Sequence, residues 1–414
     1  MPSSPSPTTR RARRAVAAVF AVHGAVAGSF ATRIPWLQDE LDMSTGQLGL
    51  VLAFPAIGAA VAMPLASRIL HRYGAQAAVR GLLTLWCLAL LLPALSPAVV
   101  ALGATLAVFG ATAGMADVVM NAQGVEVEER YGRSIMSGLH GLWSVGTLLG
   151  SAVGVAAVHF GLDARIHLPL MALLLAVAAQ FACRGLLDVR PAADEVAPPR
   201  FTLPPRSALL IGAVGMCAVL AEGASMDWSG VYLRDVTGGS DTVAAASYTA
   251  FACTMAIARL SGDAVVRRFG PVRAVRMSGV VAGIGGSAVV LAPGPALGIL
   301  GFALVGVGIA VVVPLAFAAA GRSGPAPGQA IAGVATVTYT TGLVAPTLIG
   351  VIGEFSSLRV SFAVVTVATV VLITGAGVLG PRRAAPVAGG GAADVPGTGP
   401  AAADAPAKGP ATRA

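Results

Sequence analysis

MPLASRILHRYGAQAAVR, Met63–Arg80, returns in outline as RLSGDAVVRRFGPVRAVR, Arg259–Arg276. Arg72, Gly74, Ala78, Val79 and Arg80 map onto Arg268, Gly270, Ala274, Val275 and Arg276, and Tyr73 matches Phe269. One shift of 196 residues serves them all, close to half of the 414-residue chain. Each copy follows one long apolar run and precedes another, so each reads as a short basic turn between hydrophobic helices. A basic hairpin duplicated half a chain apart is what two tandem helical bundles in a membrane produce.

Composition supports the bilayer. Hydrophobic residues make up 56% of the chain, charged residues 11%, and mean hydropathy is +0.80. A water-soluble surface needs more charge, so the exterior is expected to face lipid. A span takes roughly 20 apolar residues. Six runs fit in the first half: Ala15–Trp36, Gly46–Leu70, Ala77–Leu95, Ala98–Met120, Ile135–His159 and Leu168–Leu187. Six follow in the second: Ser207–Leu233, Thr242–Val266, Val272–Leu291, Pro295–Ala319, Gln329–Ile352 and Val360–Leu379. The 52 Gly and 27 Pro do not argue against helices, because neighbouring helices in a membrane satisfy freed backbone groups. Period-2 alternation is absent, which excludes a barrel. The expected fold class is an all-α integral membrane protein of twelve transmembrane helices in two pseudo-symmetric six-helix bundles.

The net charge of +8 is distributed by loop. Arginines stand at 10, 11, 13 and 14, at 72 and 80, at 190, 200 and 206, at 267, 268, 273 and 276, and at 382 and 383. Intervening loops are short or acidic, as at Asp39, Glu40 and Asp42. This is the positive-inside bias, and it predicts a multi-pass protein of the cell membrane with both termini cytoplasmic. Nucleic acid is not an expected partner, since no basic patch is interleaved with aromatics. Cys87, Cys183, Cys217 and Cys253 all fall inside expected spans without metal-ligand spacing, and read as small apolar fillers.

The organisation follows. Residues 1–14 form a cytoplasmic tail expected to be disordered, 15–187 the first bundle, 188–206 a proline-rich linker, 207–379 the second bundle, and 380–414 a Gly/Ala/Pro tail expected to be disordered. The 196-residue register also relates Gly110 to Gly306, Gly146 to Gly342, Gly154 to Gly350, Ser29 to Ser225, Trp143 to Tyr339 and Trp36 to Tyr232. It runs without gaps through spans 1/7, 2/8, 4/10 and 5/11, so the repeats are expected to be parallel about an axis along the membrane normal.

Six plus six helices, a central cytoplasmic link and a basic loop after spans 2 and 8 make the chain resemble the major facilitator superfamily over about residues 15–379. The loop motif departs from the family pattern, with His71 and Arg267 where an acid is usual. The resemblance implies a cytoplasmic latch at Arg72, Gly74, Arg268 and Gly270, to which Asp263 adds a carboxylate one turn before Arg267. The end of span 4, GMADVVMNAQ, looks like the fucose-permease branch, whose fourth helix carries an acid and an Asn four residues later; Asp117 and Asn121 match. The branch's acid on helix 1 has no counterpart here, where SFATRIP places Arg33.

Charges within spans cost roughly 2.5–3.5 kcal/mol each at mid-membrane, so they usually face a cavity or a partner. His23, Arg33, Asp117, Glu222 and Asp227 qualify. His23 lies about nine residues past Arg14, roughly 13 Å deep, and Glu222 fifteen past Ser207, roughly 22 Å deep. A carboxyl group that is expensive to keep charged suits proton binding and release, which assigns Asp117 and Glu222 to proton coupling, and His23 is named beside them as an ionisable residue within a span. The competing reading is a static pair, Asp117 with His23 or Glu222 with an arginine. Arg33 and Asp227 lie nearer the outer ends, where snorkelling or a gate pair is expected.

His140, Ser144, Thr147 and Ser151 share one face of span 5, and Thr336, Thr340 and Thr347 repeat the stripe on span 11. Two cavity walls would explain it, as would hydrogen bonding between helices. The expected solute-binding set is Asn121, His140, Trp143, Ser144, Thr336, Tyr339 and Thr340, with the aromatics stacking on a planar ligand or simply filling space. No phosphate loop, metal cluster or Ser/His/Asp constellation points to an enzyme, and no cofactor is expected. The expected activity is secondary transport of a small polar solute, such as a sugar or related metabolite, by a proton-coupled monomer. Proton-driven efflux of hydrophobic compounds and a membrane sensor that moves nothing are the alternatives.

Overall fold

The computed structural model describes residues 6–132, 135–188, 206–320, 322 and 327–380; for Asp263 and Tyr339 it describes the backbone only. Residues 189–205 of the linker and 381–414 of the tail, with Arg190, Arg200, Arg382 and Arg383, lie outside the described residues, so those two expectations are untouched. Sixteen α-helices make up the described chain, and no strand occurs among its residues. In the first half they are α1 Pro7–Ala31, α2 Ile34–Glu40, α3 Thr45–Val51, α4 Phe54–Tyr73, α5 Ala75–Ala89, α6 Leu91–Ala94, α7 Val99–Tyr131, α8 Met136–His159 and α9 Ala164–Ala182. In the second half come α10 Arg206–Asp235, α11 Asp241–Phe269, α12 Pro271–Val290, α13 Pro295–Ile309, α14 Val312–Ala320, α15 Pro327–Phe355 and α16 Leu358–Gly375.

Sixteen helices become twelve spans because proline interrupts four of them. Pro35, Pro55, Pro93 and Pro314 each lack an N–H for the carbonyl four residues earlier, on Ala31, Val51, Ala89 and Ala310. Helices α1, α3 and α5 end on those residues, and α13 ends one residue before Ala310. Eleven helical stretches are long and apolar enough to cross a membrane. The twelfth, α12, carries Arg273, Arg276 and Gly279, Gly283, Gly285 and Gly286, which lower its hydropathy.

Three expectations need correction. Residues 7–14 are helical, not a disordered tail: Ser6 caps α1 by accepting from Thr9 N at 3.1 Å, Pro7 opens the first turn, and the arginines and alanines that follow favour helix. Span 4 runs eleven residues past Met120, to Tyr131, until Gly132 closes α7 at φ 70°. Charge at Glu126, Glu128, Glu129 and Arg130 keeps that stretch out of the bilayer core, but helix outside the bilayer tolerates it. Span 6 begins at Ala164, because Asp163 accepts from Arg165 N at 2.7 Å and caps α9.

Helix pairing in one half recurs in the other. Helix α1 packs on α8, α4 on α7, and α5 on α7 and α9; correspondingly α10 packs on α15, α11 on α13, and α12 on α13 and α16. The halves meet where α8 lies against α11 and α3 against α15. Gly74 and Gly270 are the sharpest trace of the repeat: φ/ψ is 81°/162° at one and 79°/162° at the other. Each accepts no substitute lightly, because that region is open essentially to glycine alone. Their N–H groups close α4 on Leu70 O and α11 on Val266 O at 2.9 and 2.8 Å. Large apolar side chains such as Val61, Val100, Leu173, Ile257 and Val367 are exposed, giving the bundle the apolar exterior that lipid requires.

Candidate functional site

Three helices bring charge to one point where the halves meet. Arg259 on α11 donates from Nη2 to both carboxylate oxygens of Glu222 on α10, at 3.0 and 3.1 Å. Its Nη1 donates to Ser144 Oγ on α8, at 3.0 Å. The ion pair is thus internal to the second half, and the hydroxyl bond ties it to the first. Side-chain exposure is 17% for Arg259 and 27% for Glu222, so the pair is shielded but not sealed. Trp143, Thr147, Tyr248, Phe251, Ala252 and Met255 complete the lining of a cavity of about 10 Å³. That is room for about one water molecule.

The depth is right for a path. Glu222 lies sixteen residues into α10, Arg259 ten from the end of α11, and Ser144 eight into α8. At 1.5 Å per residue these are roughly 24, 15 and 12 Å from helix ends, well inside helices of 30, 29 and 24 residues. Among the charged residues within spans, Arg259 escaped the sequence reading because it begins the repeated basic hairpin. Its place seven residues inside the expected end of Thr242–Val266 was the available signal.

The other expected residues fall into separate groups. Asp117 and Asn121 pair with each other on α7: Asn121 Nδ2 donates to Asp117 Oδ1 at 3.1 Å and to Asp117 O at 2.8 Å. The alternative partnership of Asp117 with His23 does not form among the described contacts. His23 Nδ1 instead lies 3.0 Å from Trp143 Nε1, which donates to it, and Nε2 lies 3.4 Å from Ala113 O. Those two bonds define a neutral ring carrying its proton on Nε2. The His23 ring also stacks on Trp86, centroids 5.3 Å apart. Trp143, a lining residue of the cavity, is therefore held by His23. His140 is exposed, meets Phe20 edge-on at 5.3 Å, and lies within electrostatic reach of Arg259 and Glu222.

The polar stripe divides. Thr147 donates to Trp143 O at 3.0 Å and Ser151 to Leu148 O at 3.0 Å, each on its own helix. Their backbone lies against Gly24 and Gly28 of α1, where an added Cβ would strike Trp143 O and Thr147 O. Ser144 differs, accepting from Arg259 of the other half. On α15, Thr336 and Thr340 are exposed, with Thr340 Oγ1 donating to Thr336 O at 2.8 Å, while Thr347 donates to Gly49 O at 3.3 Å.

At the end bearing Asp39, the halves are clasped. Arg234 on α10 donates to Pro35 O at 2.9 Å, to Gln38 Oε1 at 3.2 Å and to Asp39 Oδ2. Gly46 N donates to Glu354 Oε2 at 2.8 Å, and Gly49 meets Gly350 backbone to backbone. The expected gate pair of Arg33 with Asp227 does not form among the described contacts. Arg33, 3% exposed and not snorkelling, donates to His167 Nδ1 at 3.1 Å and Leu162 O at 2.8 Å within its own half. Asp227 lies in the interior on α10, within electrostatic reach of Tyr248. At the opposite end Arg72 and Arg268 are exposed, each with its guanidinium 5.4 Å from the neighbouring ring of Tyr73 or Phe269.

Relatives share this architecture. The chain is 33% identical over 355 residues to the uncharacterized transporter y4wD of Sinorhizobium fredii, covering 85% of this chain and 94% of that one. It is 33% identical over 347 residues to an uncharacterized MFS-type transporter of Yersinia pestis (84% and 90% covered), and 31% over 341 to the membrane protein MosC of Rhizobium meliloti (82% and 83%). In fold it is similar to a point mutant of the nucleoside transporter NupG, TM-score 0.71 at 14% identity, covering 90% of this chain and 99% of that one. An inward-facing, unoccupied bacterial homolog of the human lysosomal transporter Spinster superposes at TM-score 0.69 and 12% identity, with 92% and 100% covered. The model of the Major Facilitator Superfamily matches residues 16–332, and the chain belongs to that family of membrane transporters.

Proposed function

We propose that the protein moves a small polar solute across the cell membrane by alternating access, driven by protons, with Glu222 and Arg259 at the coupling point. The single observation that carries this reading is the bond network from Glu222 through Arg259 to Ser144, joining the halves at mid-depth. For the path to open there, the halves must part and Arg259 must release Ser144. A proton on Glu222 removes the charge that holds Arg259, freeing its donors for a solute hydroxyl or acid group. Solute and proton then share one cation, which is the physical requirement for coupling.

Asp117, backed by Asn121, is proposed as a second proton site, and His140, Trp143, Ser144, Thr336, Tyr339 and Thr340 as solute contacts. His23 is proposed to position Trp143. The bundles of residues 15–187 and 207–379 are proposed as the rigid bodies, acting within a monomer with both termini cytoplasmic. Arg234 with Asp39 and Glu354 with Gly46 then form the outer gate, and the Arg72–Gly74 and Arg268–Gly270 turns, with Asp263, the inner latch. The arginine asymmetry of the loops supports that orientation. Uptake in proteoliposomes across a panel of polar solutes, with and without an imposed proton gradient, tests the reading: gradient-driven accumulation supports it, and binding without exchange overturns it.

A further inference from the structure

A second charged cavity stands apart from the coupling point. Arg10, Arg13 and Arg14 on the first turns of α1 border about 420 Å³, with Tyr131 at the end of α7 and Ile135, Gly138, Leu139 and Leu142 at the start of α8. That volume falls in the roughly 300–1,000 Å³ range of small-molecule sites. Among the described residues that line it, none is acidic. Glu128 on the adjoining α7 turns its carboxylate to the start of α8, accepting from Ile135 N and Met136 N at 2.6 and 2.9 Å. Arg13 donates to Tyr131 Oη at 3.0 Å, which holds one guanidinium at the wall of the cavity.

Arginines at a cytoplasmic helix end satisfy the positive-inside bias wherever they point. Here three converge on one concavity that is cationic along α1 and apolar along the start of α8, where Ile135, Leu139 and Leu142 line it. A guanidinium fork matches phosphate oxygens in pairs, and several together compensate a phosphate's full charge. We propose that this cavity binds a phosphate group, contributed by an anionic phospholipid whose glycerol and chains lie on the apolar wall or by a soluble phosphate. The helical start of α1, unlike a disordered tail, is what fixes the three side chains on one face.

The test uses the purified full-length protein in detergent, with thermal unfolding as readout. Phosphatidylglycerol, phosphatidylcholine and inorganic phosphate are each titrated. A saturable rise in Tm with phosphatidylglycerol and none with phosphatidylcholine establishes a lipid headgroup as the source. A rise with inorganic phosphate establishes a soluble one. In either case the Arg10→Gln/Arg13→Gln/Arg14→Gln variant should bind at least about tenfold more weakly, a loss of about 1.4 kcal/mol or more. The Arg10→Gln/Arg14→Gln variant keeps the Arg13–Tyr131 bond and should lose affinity in the same direction, while Arg184→Gln, an exposed arginine on another element, should not. No rise with either phosphate probe, an equal rise with phosphatidylcholine, or full affinity in the triple variant overturns the proposal.

Discussion

One nitrogen of Arg259 bridges both carboxylate oxygens of Glu222, at 3.0 and 3.1 Å, which leaves the other terminal nitrogen for Ser144 in the opposite half. Removing one partner of a buried pair strands the other charge and costs up to about 3–5 kcal/mol. With exposures of 17% and 27% the cost falls toward the lower end of that range. Arg259→Gln and Glu222→Gln should each lower Tm in detergent, and the double variant should lose less than the two singles added together. Strict additivity would mean the two side chains do not hold each other.

Asp117→Asn should abolish gradient-driven accumulation while leaving solute exchange at equal concentrations intact. The amide keeps an oxygen for Asn121 Nδ2, now 3.1 Å from Oδ1, so the fold is preserved while titration is lost. Radiolabelled counterflow beside net uptake separates the two activities. Full concentrative uptake by a folded variant would remove Asp117 from the coupling scheme and leave Glu222 alone in it.

Gly74→Ala and Gly270→Ala should destabilise by similar amounts, about 1–3 kcal/mol each, because both glycines hold nearly the same positive-φ conformation. Thermal unfolding of the two single variants measures this. Unequal losses would show that the turns, alike in backbone, differ in what their surroundings tolerate.

Gly350→Val places a side chain against the Gly49 backbone and should hold the halves apart at that end. Arg234→Gln removes the clasp on Pro35, Gln38 and Asp39. With Thr347→Cys as reporter, both changes should speed labelling by a membrane-impermeant maleimide. Unchanged rates would show that these contacts do not keep the end closed.

How much of this was legible varies with the physics involved. The repeated helix pairing follows from the 196-residue register, which sets Gly74 and Gly270 at equivalent turns whose backbone strongly favours glycine. The helix breaks were hidden. Pro64, Pro169 and Pro346 sit inside continuous helices while Pro35, Pro55, Pro93 and Pro314 follow interruptions, so a proline alone does not mark a break. At the site, Glu222 and Ser144 stood out as polar groups in apolar runs, but their link required Arg259, whose sequence context was a basic loop. The suggested pairing of Asp117 with His23 failed for a similar reason: Trp143 and Ala113, distant in sequence, already occupy the imidazole.

The most direct measurement is proton-driven solute accumulation in proteoliposomes by the native protein and by Glu222→Gln, run beside equilibrium exchange of the same solute. The native protein should concentrate a polar solute only while the proton gradient lasts. Glu222→Gln should exchange that solute without concentrating it, because Arg259 no longer has a partner that a proton can silence. Undiminished, gradient-dependent accumulation by a well-folded Glu222→Gln protein would contradict it.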